Sequence, residues 1–171
     1  MSDSSLDQIL AKRQHETKEI VNVDEPAIKL VICALGNDWF AFNGERIREI
    51  LTKTIIFFVP GCPPSLEGVI NVRGDIESVI RLHELLHIPA PAPVDEHSTI
   101  LLGHTTIMKS GIRVDTVIDV VDIPQGFIQP PPVNLPEQLR PYVTGLLHFQ
   151  KKAVTILDLE QIFTHYLQGM G

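Results

Sequence analysis

From position 28 onward the chain runs in short stretches of Val, Ile, Leu, Phe and Thr separated by turn residues. This texture predicts many short β-strands and few helices. The runs fall at 28–35, 39–42, 55–59, 69–72 and 76–80, then at 99–102, 105–108, 112–117, 120–123, 143–149 and 153–157. Gly36-Asn37-Asp38 and Asn43-Gly44 close the first two runs. Arg73-Gly74-Asp75 and Gln150-Lys151-Lys152 each sit between two runs, as hairpin turns do. Only 82–87 and roughly 159–167 carry helical spacing, the first ended by Ile88-Pro89 and the second capped by Asp158. Pro60-Gly61-Cys62-Pro63-Pro64 cannot continue a ladder, the prolines alternating through 89–93 form a stiff connector, and 129–136 is a second proline-rich loop. Residues 1–27 are a polar extension in which Leu6, Ile9, Leu10 and Arg13 stand at helical spacing behind Ser4 or Ser5, with Pro26 as a stop.

The chain also repeats itself. Glu67-Gly68-Val69-Ile70-Asn71-Val72 aligns without gaps on Thr144-Gly145-Leu146-Leu147-His148-Phe149, 77 residues later. The match continues through Val79 on Ile156, Ile80 on Leu157, Leu82 on Leu159, Leu85 on Ile162 and Leu86 on Phe163. A weaker echo joins 46–50 to 116–120. Two copies of one β unit, each ending in a short helix, are expected. The expected organisation is an extension over 1–27 and one domain over 28–171, with approximate halves 28–93 and 94–171 and room for strands to be exchanged between them. Each half suits a small barrel, and each core alone is marginal, so the two are expected to need each other.

Composition narrows the partners. Of 171 residues, 44% are hydrophobic, enough for a packed core, and the formal net charge is −7. That field repels a phosphate backbone and an anionic lipid surface, so neither nucleic acid nor membrane insertion is expected. Cys33 and Cys62 form no C-x-x-C pair, and the N-terminus lacks a basic stretch followed by an apolar run. Two reduced thiols in a cytoplasmic protein are the expectation, with any membrane association coming through a partner.

The search for chemistry finds little. Phosphate-cradling and nucleophile-elbow motifs are missing. His83-Glu84-Leu85-Leu86-His87 matches H-E-x-x-H, the pattern in which two imidazoles on one helical face hold Zn²⁺ while the glutamate activates water. A zinc-dependent hydrolase acting through His83, Glu84 and His87 is therefore the alternative reading. Against it, Ile88-Pro89 ends the helix at the second histidine, no third ligand stands out, and the repeat places Glu160, Gln161 and Thr164 at these positions. With Leu82, Leu85 and Leu86 packed, both histidines are expected near solvent, with no metal and no cofactor. Trp39, Phe40 and Phe42 are expected in the core, Asp115, Asp119 and Asp122 on a solvated face, and Lys151-Lys152 at a hairpin tip. Arg73 differs: it leaves an apolar hairpin at a tight glycine turn, where its guanidinium can fork onto a carboxylate, either internal, with Glu49 the candidate, or on a partner.

Leu66-Glu67-Gly68-Val69-Ile70-Asn71-Val72-Arg73-Gly74-Asp75-Ile76 resembles the signature of the CheW-type coupling proteins of bacterial chemotaxis. Segments 30–35, 47–50, 111–117, 142–146 and 156–159 follow in that family's order, so the resemblance spans about residues 28–165. It implies an all-β fold with short helices, built as two intertwined five-stranded SH3-like barrels, and no enzyme. It implies a scaffold in chemotaxis, phototaxis or pilus motility. The scaffold joins the cytoplasmic tip of a methyl-accepting chemoreceptor to the regulatory domain of a CheA-type histidine kinase, at receptor arrays. The positions it marks for partner binding are Ile47, Glu49, Gly68, Arg73, Thr99, Gly111 and Gly145. Ser78 and Arg81 stand where the family usually has proline and aspartate, and Thr99 where an aliphatic residue is common.

Overall fold

The computed structural model describes residues 25–89 and 99–169. The amphipathic spacing expected before residue 25, and most of the alternating prolines of 89–93, lie outside the described residues. Ten strands carry the fold: β1 (Ala27–Leu35), β2 (Asp38–Asn43), β3 (Ile47–Leu51), β4 (Leu66–Val72), β5 (Asp75–Ile80), β6 (Thr99–His104), β7 (Lys109–Val114), β8 (Thr116–Pro124), β9 (Val143–Phe149) and β10 (Lys152–Leu157). Helix α1 (Leu82–Leu86) follows β5 and α2 (Leu159–Gly169) follows β10.

The strands form two five-stranded sheets, ordered β9-β10-β2-β1-β8 and β3-β6-β7-β5-β4. Two β units were expected and two are found, but each sheet keeps two free ends and stays open instead of closing into a barrel. Two strands cross between the sheets. After the β1–β2 hairpin the chain leaves for the second sheet as β3, and after the β6–β7 hairpin it returns to the first as β8. The run expected as one strand over 112–117 breaks at Asp115 for this reason. There the Asp115 amide donates to the Ala34 carbonyl (3.0 Å) and its Oδ2 accepts from the Gly36 amide (2.7 Å).

The repeat seen in the sequence is a repeat of pairing. Leu66 faces Ile80 and, across a bulge, Gly68 faces Val79; 77 residues later Val143 faces Leu157 and, across the same bulge, Gly145 faces Ile156. Parallel pairing of β5 with β7 (Val79 on Gly111) repeats that of β10 with β2 (Ile156 on Ala41). The weaker echo is equally literal. Ile47 and Glu49 face Gly103 and Leu102 across a bulge, as Val117 and Asp119 face Cys33 and Ile32.

The core has three parts because most strands are buried on both faces. Val31, Cys33, Leu35, Phe40 and Phe42 point between the sheets, where they meet Leu101, Ile112, Leu82 and Phe163. The alternate residues Leu30, Ile32 and Ala41 fill the first sheet's own hollow with Leu147, Val154 and Ile156. Ile70, Val72, Val79, Ile100 and Leu102 fill the second. Helix α2 buries Leu159, Ile162, Phe163 and Tyr166, one face at i, i+3, i+4 and i+7, and Asp158 Oδ1 caps it by accepting from the Glu160 amide (3.0 Å).

Two expected strands are absent. Residues 105–108 are the connection between β6 and β7, held by the Thr105 amide on the Met108 carbonyl (2.9 Å). Residues 55–59 make a single bridge, Phe57 with Val69, and otherwise run as a strap along the free edge of β4. The prolines and glycine of 60–64 end the pairing, so the strap bridges the sheet at one point, with Ile56 packed against the second sheet's hollow. That point explains Gly68, whose φ is +153°: a Cβ there would collide with the carbonyl oxygen of Phe57. Gly68→Ala is expected to lower the urea-unfolding free energy by about 2 kcal/mol or more and to detach the strap. An unchanged midpoint would show that the strap gives way without cost.

Candidate functional site

The second sheet carries the most distinctive polar geometry of the described residues. Arg73 occupies the first central position of the two-residue β4–β5 turn with φ +51°, followed by Gly74 at φ +94°. Two positive values are what a type I′ hairpin turn requires. The Gly74 amide donates to Asn71 Oδ1 (2.8 Å), which fixes the turn. From it the Arg73 guanidinium reaches Glu49 on β3 as a fork, Nη2 to Oε1 at 2.7 Å and Nη1 to Oε2 at 3.1 Å. β3 and β4 are the two ends of the sheet, so the sheet curls until its edges are joined by one ion pair. The hydrogen bonds from Arg73 hold the Glu49 carboxyl below the usual carboxylate range, and Glu49 raises the guanidinium in return. At the related turn Gln150 has φ +52°, but it is uncharged, and Asp119, the counterpart of Glu49, accepts from the Val120 amide instead. The fold unit therefore forms this turn without the clasp, and the clasp belongs to one half only.

An apolar surface borders it. Ile55, Phe57, Phe58 and Ile76 are 64, 55, 72 and 65% exposed. Ile55, Phe57 and Asn71 line one shallow cleft, and Ile76 lies opposite Asn71 in the β4–β5 ladder. Sequence reasoning missed this patch, because an apolar run such as 55–59 reads as a buried strand. The signal available was the Pro60-Gly61-Cys62-Pro63-Pro64 stretch behind it, which denies the run a second pairing partner.

The seven positions marked by family resemblance do not converge on one surface. Arg73 and Glu49 touch each other, and Ile47 is half-buried two residues away on β3. Gly68, Thr99 and Gly111 lie in the same sheet but are buried. Gly145 is buried in the other sheet, where a Cβ would meet Ile128 Cγ2 at 2.8 Å. The glycines act through backbone packing: at Gly111 a Cβ would stand 2.8 Å from Ile100 Cγ2 and 3.3 Å from the Ser78 carbonyl oxygen.

The second candidate site does not assemble as expected. Helix α1 is five residues long, and His87 is its left-handed cap with φ +56°. His83 is 3% exposed, not near solvent, whereas His87 is exposed and Leu85 only half-buried. The two imidazoles thus stand on opposite sides of a protein surface, and no group of three or more His, Cys, Asp or Glu among the described residues can hold a metal ion. Neither ring nitrogen of His83 has a hydrogen-bond partner. Burial pushes its pKa below the ordinary 6.5, assisted by the charges of Arg113 and Arg81 and opposed by Asp115 and Glu67. A histidine depressed in the folded state leaves stability intact above the unfolded value near 6.5 and erodes it as pH falls below. The urea midpoint is expected to drop between pH 7.5 and pH 5.5, and His83→Leu should remove much of that drop. Equal pH dependence in the two proteins would contradict this.

The other singled-out groups have structural roles. Phe40 and Phe42 are buried. Trp39 is half-buried under the Lys152 ammonium, 5.2 Å from its ring centroid, and that ammonium donates to the Asn37 carbonyl (2.7 Å), so Lys152 is a strand residue and not a free hairpin tip. Cys33 is buried and its thiol is pushed up to about 12, chiefly by burial. No helix among the described residues is long and apolar enough to cross a membrane.

Among the described residues, two open sheets packed on each other, an edge clasp in one of them and an exposed apolar patch define a two-sheet β module. Its family is equally plain: the CheW-like domain model matches residues 29–166, and the chain belongs to that family. The chain is 28% identical over 136 residues to a probable chemotaxis protein CheW of Rhizobium etli, covering 80% of this chain and 87% of that one. It is 23% identical over 154 residues to a chemotaxis protein CheW of Treponema pallidum, covering 88% and 90%. The crystal structure of a scaffolding protein of the CheW type from Thermoanaerobacter tengcongensis superposes with a TM-score of 0.70 at 27% identity, covering 80% of this chain and 92% of that one. Membership makes this protein a scaffold of the CheW type, not an enzyme.

Proposed function

We propose that this chain couples chemoreceptors to a CheA-type histidine kinase, holding the receptor's cytoplasmic tip and the kinase's regulatory domain at once within membrane-associated arrays. The observation that carries the reading is the Arg73–Glu49 fork, present in one half and not in its repeat, beside exposed Ile55, Phe57, Phe58 and Ile76. Apolar area of this kind supplies binding free energy, and Arg73, its guanidinium held by the fork and its side chain 71% exposed, supplies register and selectivity. Ile47, Glu49 and Arg73 act at the surface, while Gly68, Thr99, Gly111 and Gly145 act by shaping the backbone under it. Modest single contacts become strong coupling when many copies are arrayed. Relatives named as chemotaxis proteins CheW support chemotaxis as the output. The test is capture on immobilised protein of the cognate receptor tip and the kinase regulatory domain, separately and together. Retention of both is expected, and retention of neither would contradict the reading.

A further inference from the structure

The two halves treat one crevice differently. In the half built on the second sheet, the space beside the start of α1 is plugged by the chain's own charged groups. Glu67 accepts from Arg81 Nε (3.3 Å) and Nη2 (3.1 Å), and Arg113 Nη1 stands 3.5 Å from its Oε1. The repeat of pairing places Thr144 where Glu67 stands, Asp158 where Arg81 stands and Asn43 where Arg113 stands. Three short side chains replace two arginines and a glutamate, and the result is an open cleft of about 360 Å³. That volume is at the small end of the range for small-molecule sites, roughly 300–1,000 Å³. Ile28, Leu30, Ile128, Ile156, Leu157 and Leu159 give the cleft an aliphatic surface. Asn43, Arg46, Thr144 and Asp158 complete the lining.

The protein uses the two charged groups of this lining only in part. Asp158 Oδ1 caps α2, accepting from the Glu160 amide (3.0 Å) and the Gln161 amide (3.4 Å), while Oδ2 accepts no hydrogen bond among the described residues. Glu160 Oε2 is taken by the Thr106 hydroxyl (2.7 Å), and its Oε1 stands 3.7 Å from Arg46 Nη2, beyond hydrogen-bond length. The Arg46 guanidinium therefore keeps its donors, and its side chain is 43% exposed. Asn43 Oδ1 accepts from the Glu45 amide (2.8 Å), which leaves its Nδ2 as a further donor. We propose that this cleft binds an apolar α-amino acid as its zwitterion. The carboxylate meets Arg46 and Asn43 Nδ2, the ammonium meets Asp158 Oδ2, and the aliphatic side chain lies on the isoleucine and leucine wall. Charge complementarity selects this class. An apolar anion leaves Asp158 without a counter-charge, an apolar amine leaves Arg46 without one, and a hydrocarbon strips water from both and returns nothing. The plugged half shows that the fold holds a guanidinium and a carboxylate together in this space.

The test is a titration of the isotope-labelled full chain with L-leucine, followed by amide chemical shifts. Saturable shifts are expected at Asn43, Thr144, Asp158 and Leu159, with half-saturation on the order of 1 mM, the range open to a ligand of so few atoms. 4-Methylpentanoate lacks the ammonium, 3-methylbutylamine lacks the carboxylate and glycine lacks the side chain. Each should need about tenfold more or worse, because a charged group of the site or its aliphatic wall then goes unmet. Arg46→Gln, a change at a partly exposed position, should raise half-saturation by leucine by about tenfold while the rest of the spectrum keeps its dispersion. No saturable shift with leucine, or saturation by 4-methylpentanoate or 3-methylbutylamine as readily as by leucine, would overturn the proposal. Unaltered leucine binding by a folded Arg46→Gln protein would overturn it equally. The site lies in the half without the edge clasp and its readout is separate from partner capture, so its failure leaves the coupling reading standing.

Discussion

Arg73→Glu is expected to weaken capture of the receptor tip by about thirtyfold or more, the scale of a hot-spot arginine, while the far-ultraviolet circular dichroism spectrum is unchanged. The substitution turns the bidentate fork on Glu49 into two carboxylates facing each other at the join of the sheet's edges. It also removes a cationic side chain that is 71% exposed to solvent. Folding should survive, because Gln150 occupies the equivalent turn without any such pair and the β9–β10 hairpin forms around it. The charge-swapped Glu49→Arg/Arg73→Glu protein regains the edge clasp. It is expected to recover little of the binding, since the guanidinium then springs from the strand and not from the turn. Arg73→Glu retaining wild-type affinity would place the binding surface elsewhere.

Glu67→Ala carries the largest expected cost in stability, about 3 kcal/mol or more, read as a lowered urea midpoint. Among the described residues Glu67 is a nearly buried carboxylate that both Arg81 and Arg113 approach, and its removal takes a charged acceptor from two guanidiniums at once. Attraction lost on breaking such a pair exceeds the desolvation recovered, because Arg113 remains buried whatever happens to its partner. Arg81, 35% exposed, can turn toward water and should moderate the loss. Thr144→Ala, at the related position of the open cleft, is expected to change stability by less than about 0.5 kcal/mol, since it removes one exposed hydroxyl. Similar costs for the two substitutions would show that the ion triad contributes nothing beyond its aliphatic packing.

Much of the architecture was legible because it repeats. The bulge that pairs Gly68 with Val79 recurs as Gly145 with Ile156, so the gapless sequence echo reported a conserved register and not merely two apolar hairpins. The Arg73–Glu49 fork was legible as a candidate pair, since a guanidinium leaving an apolar hairpin needs a carboxylate or solvent. What could not be read was anything set by pairing across the chain. Both 55–59 and 39–42 are apolar and rich in phenylalanine, but only the second finds strands on both sides, so Phe42 is buried and Phe58 is exposed. His83 has the spacing of a surface position on a helix. It is buried because α1 packs against the strand end that carries Arg113, a neighbour distant in sequence. Closure of the sheets was likewise beyond reach, because strand crossing at Asp115 and at the turn before β3 leaves each sheet with free edges, clasped by the Arg73–Glu49 pair in the second sheet alone among the described residues.

Sedimentation of the kinase with receptor-bearing vesicles, measured across a titration of this protein, tests most directly whether it is a coupler. Kinase in the pellet should rise with added protein to a plateau and fall again at large excess, as separate copies occupy receptor and kinase without bridging them. Kinase sedimentation that is the same at every concentration, including none, would contradict the coupling role.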